Sequence, residues 1–237
     1  MEWSTICSLC SLIRKLPPLP IEEDVNESEL CSRFVEPFLS GLFDDQDAGV
    51  YLRWTNETRL ETKKYGHQDG LSPDLCITGC YSVKWNPTFG YDEAKAVIQA
   101  EDHHSVCCYL LKLAVFCKNA LDNQNFDGIM GIQIVGRPIP FYVLLPAMRL
   151  YIKLKLAEIK LPDSFQGIAS LVTELPYAIS VLEAFHNCAR LQRTPNAPSI
   201  TTPYASDKMS SCKATVPRLA LLFATAQNCS IGFSSGE

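Results

Sequence analysis

With 237 residues, 47% of them apolar, and a formal net charge of −5, the chain is long enough to bury a core as one domain and too apolar to remain unfolded. The acidic balance argues against a surface that tracks nucleic acid over its whole extent, because phosphate binding calls for a basic face. No run approaches the ~20 apolar residues of a membrane-spanning helix. The 11 cysteines, an odd number set mostly in apolar segments, fit reduced thiols in an intracellular protein, cytoplasmic or nuclear.

Residues 1–26 are expected as an N-terminal extension. Met1-Glu2-Trp3-Ser4 has no basic start, and the apolar stretch to Ile13 is broken by serines and followed by Arg14-Lys15, which makes a poor secretory signal. Cys7-x-x-Cys10 lacks a second Cys or His pair at zinc-binding spacing. From Glu27 to Phe43, the residues Leu30, Phe34, Val35, Phe38, Leu39 and Leu42 recur at helical spacing and predict an amphipathic helix that Pro37 must kink or split. Gly41 and the acidic Asp44-Asp45-Gln46-Asp47 are expected to end it. Val50-Tyr51-Leu52-Arg53-Trp54-Thr55 reads as a first strand, and Leu75-Cys76-Ile77-Thr78 as a second that Gly79 stops. After the Asn86-Pro87 turn signal, residues 89–95 read as a third strand.

Val106, Leu110, Leu113, Phe116, Cys117 and Leu121 then predict a helix over 101–123, followed by two apolar strands, 128–136 and 139–145. Residues 151–156 alternate as a strand does. A helix over 163–191, broken at Pro176, should cover the sheet. From 193 to 237 the composition turns to that of a low-complexity, disordered tail.

Two short runs carry chemistry. Ser72-Pro73-Asp74-Leu75 puts an aspartate at the head of the second strand, and Gly90-Tyr91-Asp92-Glu93-Ala94-Lys95 puts Glu-x-Lys in the third. Residues two apart in a strand project from one face, so Glu93 and Lys95 point together. Two carboxylates suit a hard cation such as Mg²⁺, which commonly takes one or two carboxylates plus water and a substrate phosphate. A lysine beside them can position the attacking water and offset charge developing on phosphorus.

Pro73-Asp74 with Glu93-Ala94-Lys95 resembles the short, degenerate signature of the PD-(D/E)XK nuclease superfamily. That resemblance implies an α/β (α+β) fold with a restriction-endonuclease-like core. Such a core is a mixed central sheet flanked by helices, with the Asp on the second strand and Glu-x-Lys on the third. The order helix, three strands, helix, two strands over residues 27–145 follows that plan, so one domain is expected over 27–192, with C-terminal helices and a disordered tail from 193.

The resemblance further implies catalytic Asp74, Glu93 and Lys95. It implies Mg²⁺ or Mn²⁺ held by Asp74 and Glu93 and, from the first helix, by Glu29, with Glu36 as second candidate. DNA or RNA would be contacted through Lys112 and Arg137. Arg137 opens a stretch to Lys160 with five basic residues against one acidic. His103 and His104 stand close in sequence and are weaker candidates.

Structural alternatives exist for each: an aspartate after proline caps turns, Glu93 and Lys95 can form a solvated strand face, and a glutamate at a helix start serves the helix dipole. Carboxylates of Asp74 and Glu93 more than ~8 Å apart would favour those alternatives, since shared ligation at about 2 Å leaves no such gap. The phrases Leu52-Arg53-Trp54-Thr55-Asn56-Glu57-Thr58, Phe116-Cys117-Lys118-Asn119 and Gly131-Ile132-Gln133-Ile134-Val135-Gly136-Arg137 are similar to those of uncharacterised proteins of mucoralean fungi, which bring no function with them. The resulting expectation is a metal-dependent nuclease. Its alternative is a catalytically inactive module of the same fold that binds nucleic acid or protein.

Overall fold

β-branched and aromatic runs build the strands of a mixed sheet: β1 (Val50–Trp54), β2 (Leu75–Tyr81), β3 (Lys84–Lys95), β4 (Ile129–Val135), β5 (Pro138–Ala147) and β6 (Leu150–Lys160), lying side by side in chain order. The computed structural model describes residues 2–23, 25–55, 73–81, 84–96, 102–124, 126–147, 150–188 and 220–221. A two-residue β7 (Ala220–Leu221) pairs with β6 at the sheet's edge. Neighbours are antiparallel except β3 and β4, which are parallel. A parallel pair needs a crossover, and the chain supplies one through the helix His103–Gln124.

The helices are α1 (Glu2–Ile13), α2 (residues 27–43), α3 (His103–Gln124) and α4 (Ile168–Cys188). Gly131 of β4 faces α3, since a Cβ there would meet Leu113 and Cys117. Ile132 and its partner Phe141 therefore face the other way, where Phe43 of α2 lies against both Phe141 and Phe185 of α4. The sheet is thus a middle layer, with α3 on one face and α2 and α4 on the other.

α2 takes up Pro37 without a break. It runs as an α turn at Glu27–Glu29, π turns over Leu30–Val35, and α again over Glu36–Phe43. Pro37 has no N–H for the carbonyl four residues back, and the wider turns absorb the mismatch: Glu36 N–H bonds to Cys31 O, five residues back. Gly41 lies inside α2 and serves a close helix contact with α1 rather than termination.

Three further elements differ from the sequence expectation. β2 runs through Gly79, which pairs with Val50, and β3 runs back to Lys84 through Pro87. Register shifts at Ile77/Thr78 and Thr78/Cys80 leave Pro87 without a ladder partner, so its missing N–H costs nothing there. α4 continues through Pro176, which sits on the exposed side where water can take the freed carbonyl. Preceded by a 3-10 turn at Phe165–Gly167, the stretch Phe165–Cys188 has the length and mean hydropathy, 1.4, of a membrane span. It lays Leu171, Ala178, Val181, Leu182 and Phe185 into the core. The tail expected over residues 193–219 and 222–237 lies outside the described residues.

Candidate active site

β2 and β3 bring the motif residues together by ordinary ladder pairing. Leu75 is the register partner of Asp92, and the Asp74 N–H bonds to the Asp92 carbonyl at 3.2 Å. Asp74, one step before β2, thereby lands beside the end of β3, where its Oδ2 accepts from Ala94 N at 2.9 Å. Lys95 Nζ lies 3.3 Å from Asp74 Oδ2, 3.6 Å from Glu93 Oε1 and 3.7 Å from Glu27 Oε1. It also donates to its neighbour's carbonyl, Ala94 O, and stands 5.4 Å from the Tyr109 ring centre. The Asp74 and Glu93 carboxylates are closer together than the sum of their distances to that one nitrogen, inside the limit set above.

From α3, Lys112 Nζ reaches 2.7 Å from both Glu93 oxygens. Glu93 is 1% exposed, so this pair is buried on the carboxylate side. Burial raises the Glu93 pKa and the Lys112 hydrogen bond opposes the rise. For Lys95, burial pulls the ammonium down, but Asp74, Glu93 and Glu27 outweigh it and hold the pKa above its ordinary value.

Glu29 is not brought into this cluster. Its carboxylate accepts from Arg33 Nε at 2.9 Å along the helix, and Glu27, two residues earlier, takes the place beside Lys95. The helix phase carries that signal: Glu27 falls in line with Leu30 and Phe34, which are buried, whereas Glu29 falls in line with Arg33. Glu36 lines the neighbouring cleft, without a place beside Lys95. Arg137 follows Gly136, whose N–H bonds to Lys95 O, but its guanidinium turns to Asp163 at 2.8 Å and lines a second cavity, of about 150 Å³. His103 and His104 are exposed on the first turn of α3, and the His104 ring meets Cys108 Sγ at 3.6 Å.

Asp92 is the residue that motif reading passed over. It is fully buried with both carboxylate oxygens lacking a hydrogen-bond partner. Burial, then Asp74 and Glu93, push its pKa well above the usual carboxylate range. Alternation puts it on the α2 face of β3, opposite Glu93, and Cys31 of the π turns lies near it, its thiol pushed up to about 12 by burial and by Asp92. The only sequence signal was a charged residue inside an apolar strand, next to one already given a role.

Beside this cluster a cleft of about 400 Å³ opens between α2 and the strand ends, lined by Glu27, Cys31, Glu36, Trp54, Asp74 and Ala94 among others. Among the described residues no three His, Cys, Asp or Glu side chains already converge as a ligand set. The donors present nonetheless fit a hard cation: Asp74 and Glu93 share one cation position, held by the Lys95 ammonium, and Mg²⁺ takes one or two carboxylates. No protein-family model, no curated protein and no solved structure matches the chain.

Proposed function

We propose that the chain is a metal-dependent phosphodiesterase of the PD-(D/E)XK type, a nuclease acting on DNA or RNA. The observation that carries this reading is the convergence of Asp74, Glu93 and Lys95 from two paired strands onto one position at the end of the sheet. It is supported by the order β1-β2-β3-β4, with β3 and β4 parallel and α3 crossing between them, which agrees with a restriction-endonuclease-like core.

In this reading Asp74 and Glu93 hold Mg²⁺ or Mn²⁺, which supplies charge stabilisation at phosphorus and acidifies a bound water. Lys95 orients the water and offsets the developing negative charge. Lys112 keeps the buried Glu93 ionised and in place, and lies near enough to meet a phosphate oxygen on that side. The test is cleavage of plasmid, single-stranded DNA and RNA with Mg²⁺ or Mn²⁺. Wild-type protein is expected to cut at least one of these, and Lys95→Ala to lose about 100-fold or more in rate. Equal inertness of both proteins on all three substrates with both metals removes the enzyme reading.

A catalytically silent module of the same fold is the second reading, favoured by one observation: Lys112 and Lys95 already neutralise Glu93. Nucleic-acid binding that falls steeply with salt, without cleavage, selects it.

A further inference from the structure

Trp54 and Trp85 are equally exposed, 39% each, yet only one of the two rings is in use. Trp85 lies beneath the Arg53 guanidinium, 4.1 Å from its ring centre, and meets Tyr51 edge-on at 5.6 Å. Against Trp54, among the described residues, no ring or cation is packed. Tryptophan is ordinarily well buried, and Val50 and Leu52, on the same face of β1 by alternation, do pack on the core. Trp54 instead lines the cleft of about 400 Å³ into which Asp74 and Ala94 of the candidate site also open.

Backbone bonds fix Trp54 beside that site. It is the register partner of Leu75, and Thr55 donates from its N to Asp74 O at 2.9 Å and from its Oγ1 to Pro73 O at 3.2 Å. The indole therefore stands on a paired strand end, next to the aspartate assigned to the metal.

The lining limits what the cleft can take. Glu27 and Glu36 offer only acceptors, which turn a phosphate away and welcome a group with N–H donors. Glu27 is engaged by Lys95 at 3.7 Å, whereas Glu36 has no hydrogen bond or ion pair among the described residues. The volume falls in the range of ~300–1,000 Å³ for sites that enclose one small molecule.

We propose that Trp54 is a stacking platform for one unpaired base, seated in this cleft while the adjoining phosphate lies at the Asp74–Glu93 position, a reading that rests on the proposed function for the class of ligand. The substrate is then single-stranded or locally unpaired nucleic acid, because a base inside a duplex has both faces covered by its neighbours. Glu36 is the acceptor for the edge of that base. Cytosine presents an amino donor where thymine presents a carbonyl, so cytosine is preferred.

The test is anisotropy of labelled oligo-dC, oligo-dT, a duplex and an abasic strand of equal length, with the full chain in Ca²⁺. Oligo-dC is expected to bind about tenfold or more tighter than the abasic strand. Trp54→Ala should remove that advantage and Trp54→Phe keep most of it, both leaving abasic and duplex binding and the far-ultraviolet circular dichroism unchanged. Glu36→Gln should level oligo-dC and oligo-dT.

Wild-type protein that binds no single strand overturns the proposal, as does a Trp54→Ala variant that binds oligo-dC like wild type or weakens on every strand alike. Equal wild-type affinity for oligo-dC and oligo-dT overturns the assignment to Glu36 alone. An arginine-rich peptide that binds in place of DNA and is lost in Trp54→Ala would make the ring a cation–π face and likewise overturn it. Base-dependent binding through Trp54 without any cleavage would remove the nuclease reading and leave this one standing, whereas cleavage indifferent to Trp54→Ala would do the reverse.

Discussion

Two lysines of this protein, Lys112 half-buried and Lys153 buried, live under opposite conditions, and each makes a prediction. Lys112 has an acid to hold. Replacing it with methionine leaves Glu93, 1% exposed, without its 2.7 Å hydrogen bond and with only Lys95, 3.6 Å away, as a cationic neighbour, and Lys112→Met should cost about 2 kcal/mol. The double variant Glu93→Gln/Lys112→Met should recover much of that loss in urea unfolding, which separates the pair from packing by the lysine stem.

Lys153 has no such partner. It is 5% exposed on β6, its Nζ makes no hydrogen bond, and it stands 4.0 Å from the Tyr142 ring centre. Burial lowers its pKa from 10.5 to about 8. Between those values the unfolded chain binds more protons than the folded one, so this group makes stability rise with pH, and the gain is lost as pH falls through about 8. The gap is worth about 3 kcal/mol at 1.36 kcal/mol per tenfold change in acid constant. Lys153→Met should therefore be the more stable protein at pH 7 by up to that amount, with the difference closing toward pH 10.5. A pH-independent difference would mean that the lysine is not buried as a charge.

Helices and strands here are decided partly by what they must approach. α1 and α2 meet backbone to backbone at Ser8 and Gly41, so Gly41→Ala forces a shift that no flexible side chain can absorb. About 2–3 kcal/mol should be lost in the urea midpoint, with earlier protease cleavage near α1; an unaffected midpoint would show that the helices part freely.

Contacts of this kind are also where sequence reading ran short. The periodicity of Leu30, Phe34 and Phe38 located α2, and the β-branched runs located every long strand, because local pattern and burial agree there. The role of Gly41 was invisible, since it depends on a helix read only as an extension. The extent of β3 was missed because Pro87 is a breaker only where its N–H is needed, and the bulge that excuses it is a property of the pairing with β2. In the site, Asp74, Glu93 and Lys95 were legible as a motif. Glu27 in place of Glu29 required helix phase, and Asp92 required knowing which face of β3 is dry.

The charge distribution of the entire chain sets a condition on ligand binding. Its net charge is −5, the cleft is lined by Glu27, Glu36 and Asp74, and Lys95 and Lys112 are both committed to carboxylates. Without a divalent cation, phosphate should therefore be repelled. Oligonucleotide anisotropy is expected to rise on adding Ca²⁺ or Mg²⁺ and to stay at baseline in chelator. Equal binding in chelator would place the contact surface elsewhere on the protein.

Asp92 and Glu93 are successive residues on one strand, yet the sheet lies between their carboxylates, one side dry beneath α2 and the other in reach of Lys112. A one-residue slip of β3 exchanges the faces of all its side chains. In most strands that would swap acid for hydrocarbon. Here the doublet makes the outcome depend on the direction of the slip: a one-residue insertion near Gly90 would bring Asp92 to the position opposite Lys112, whereas a one-residue deletion would bring Ala94 there and empty it. The pair makes this strand tolerant of an added residue that would silence a site built on one acidic residue.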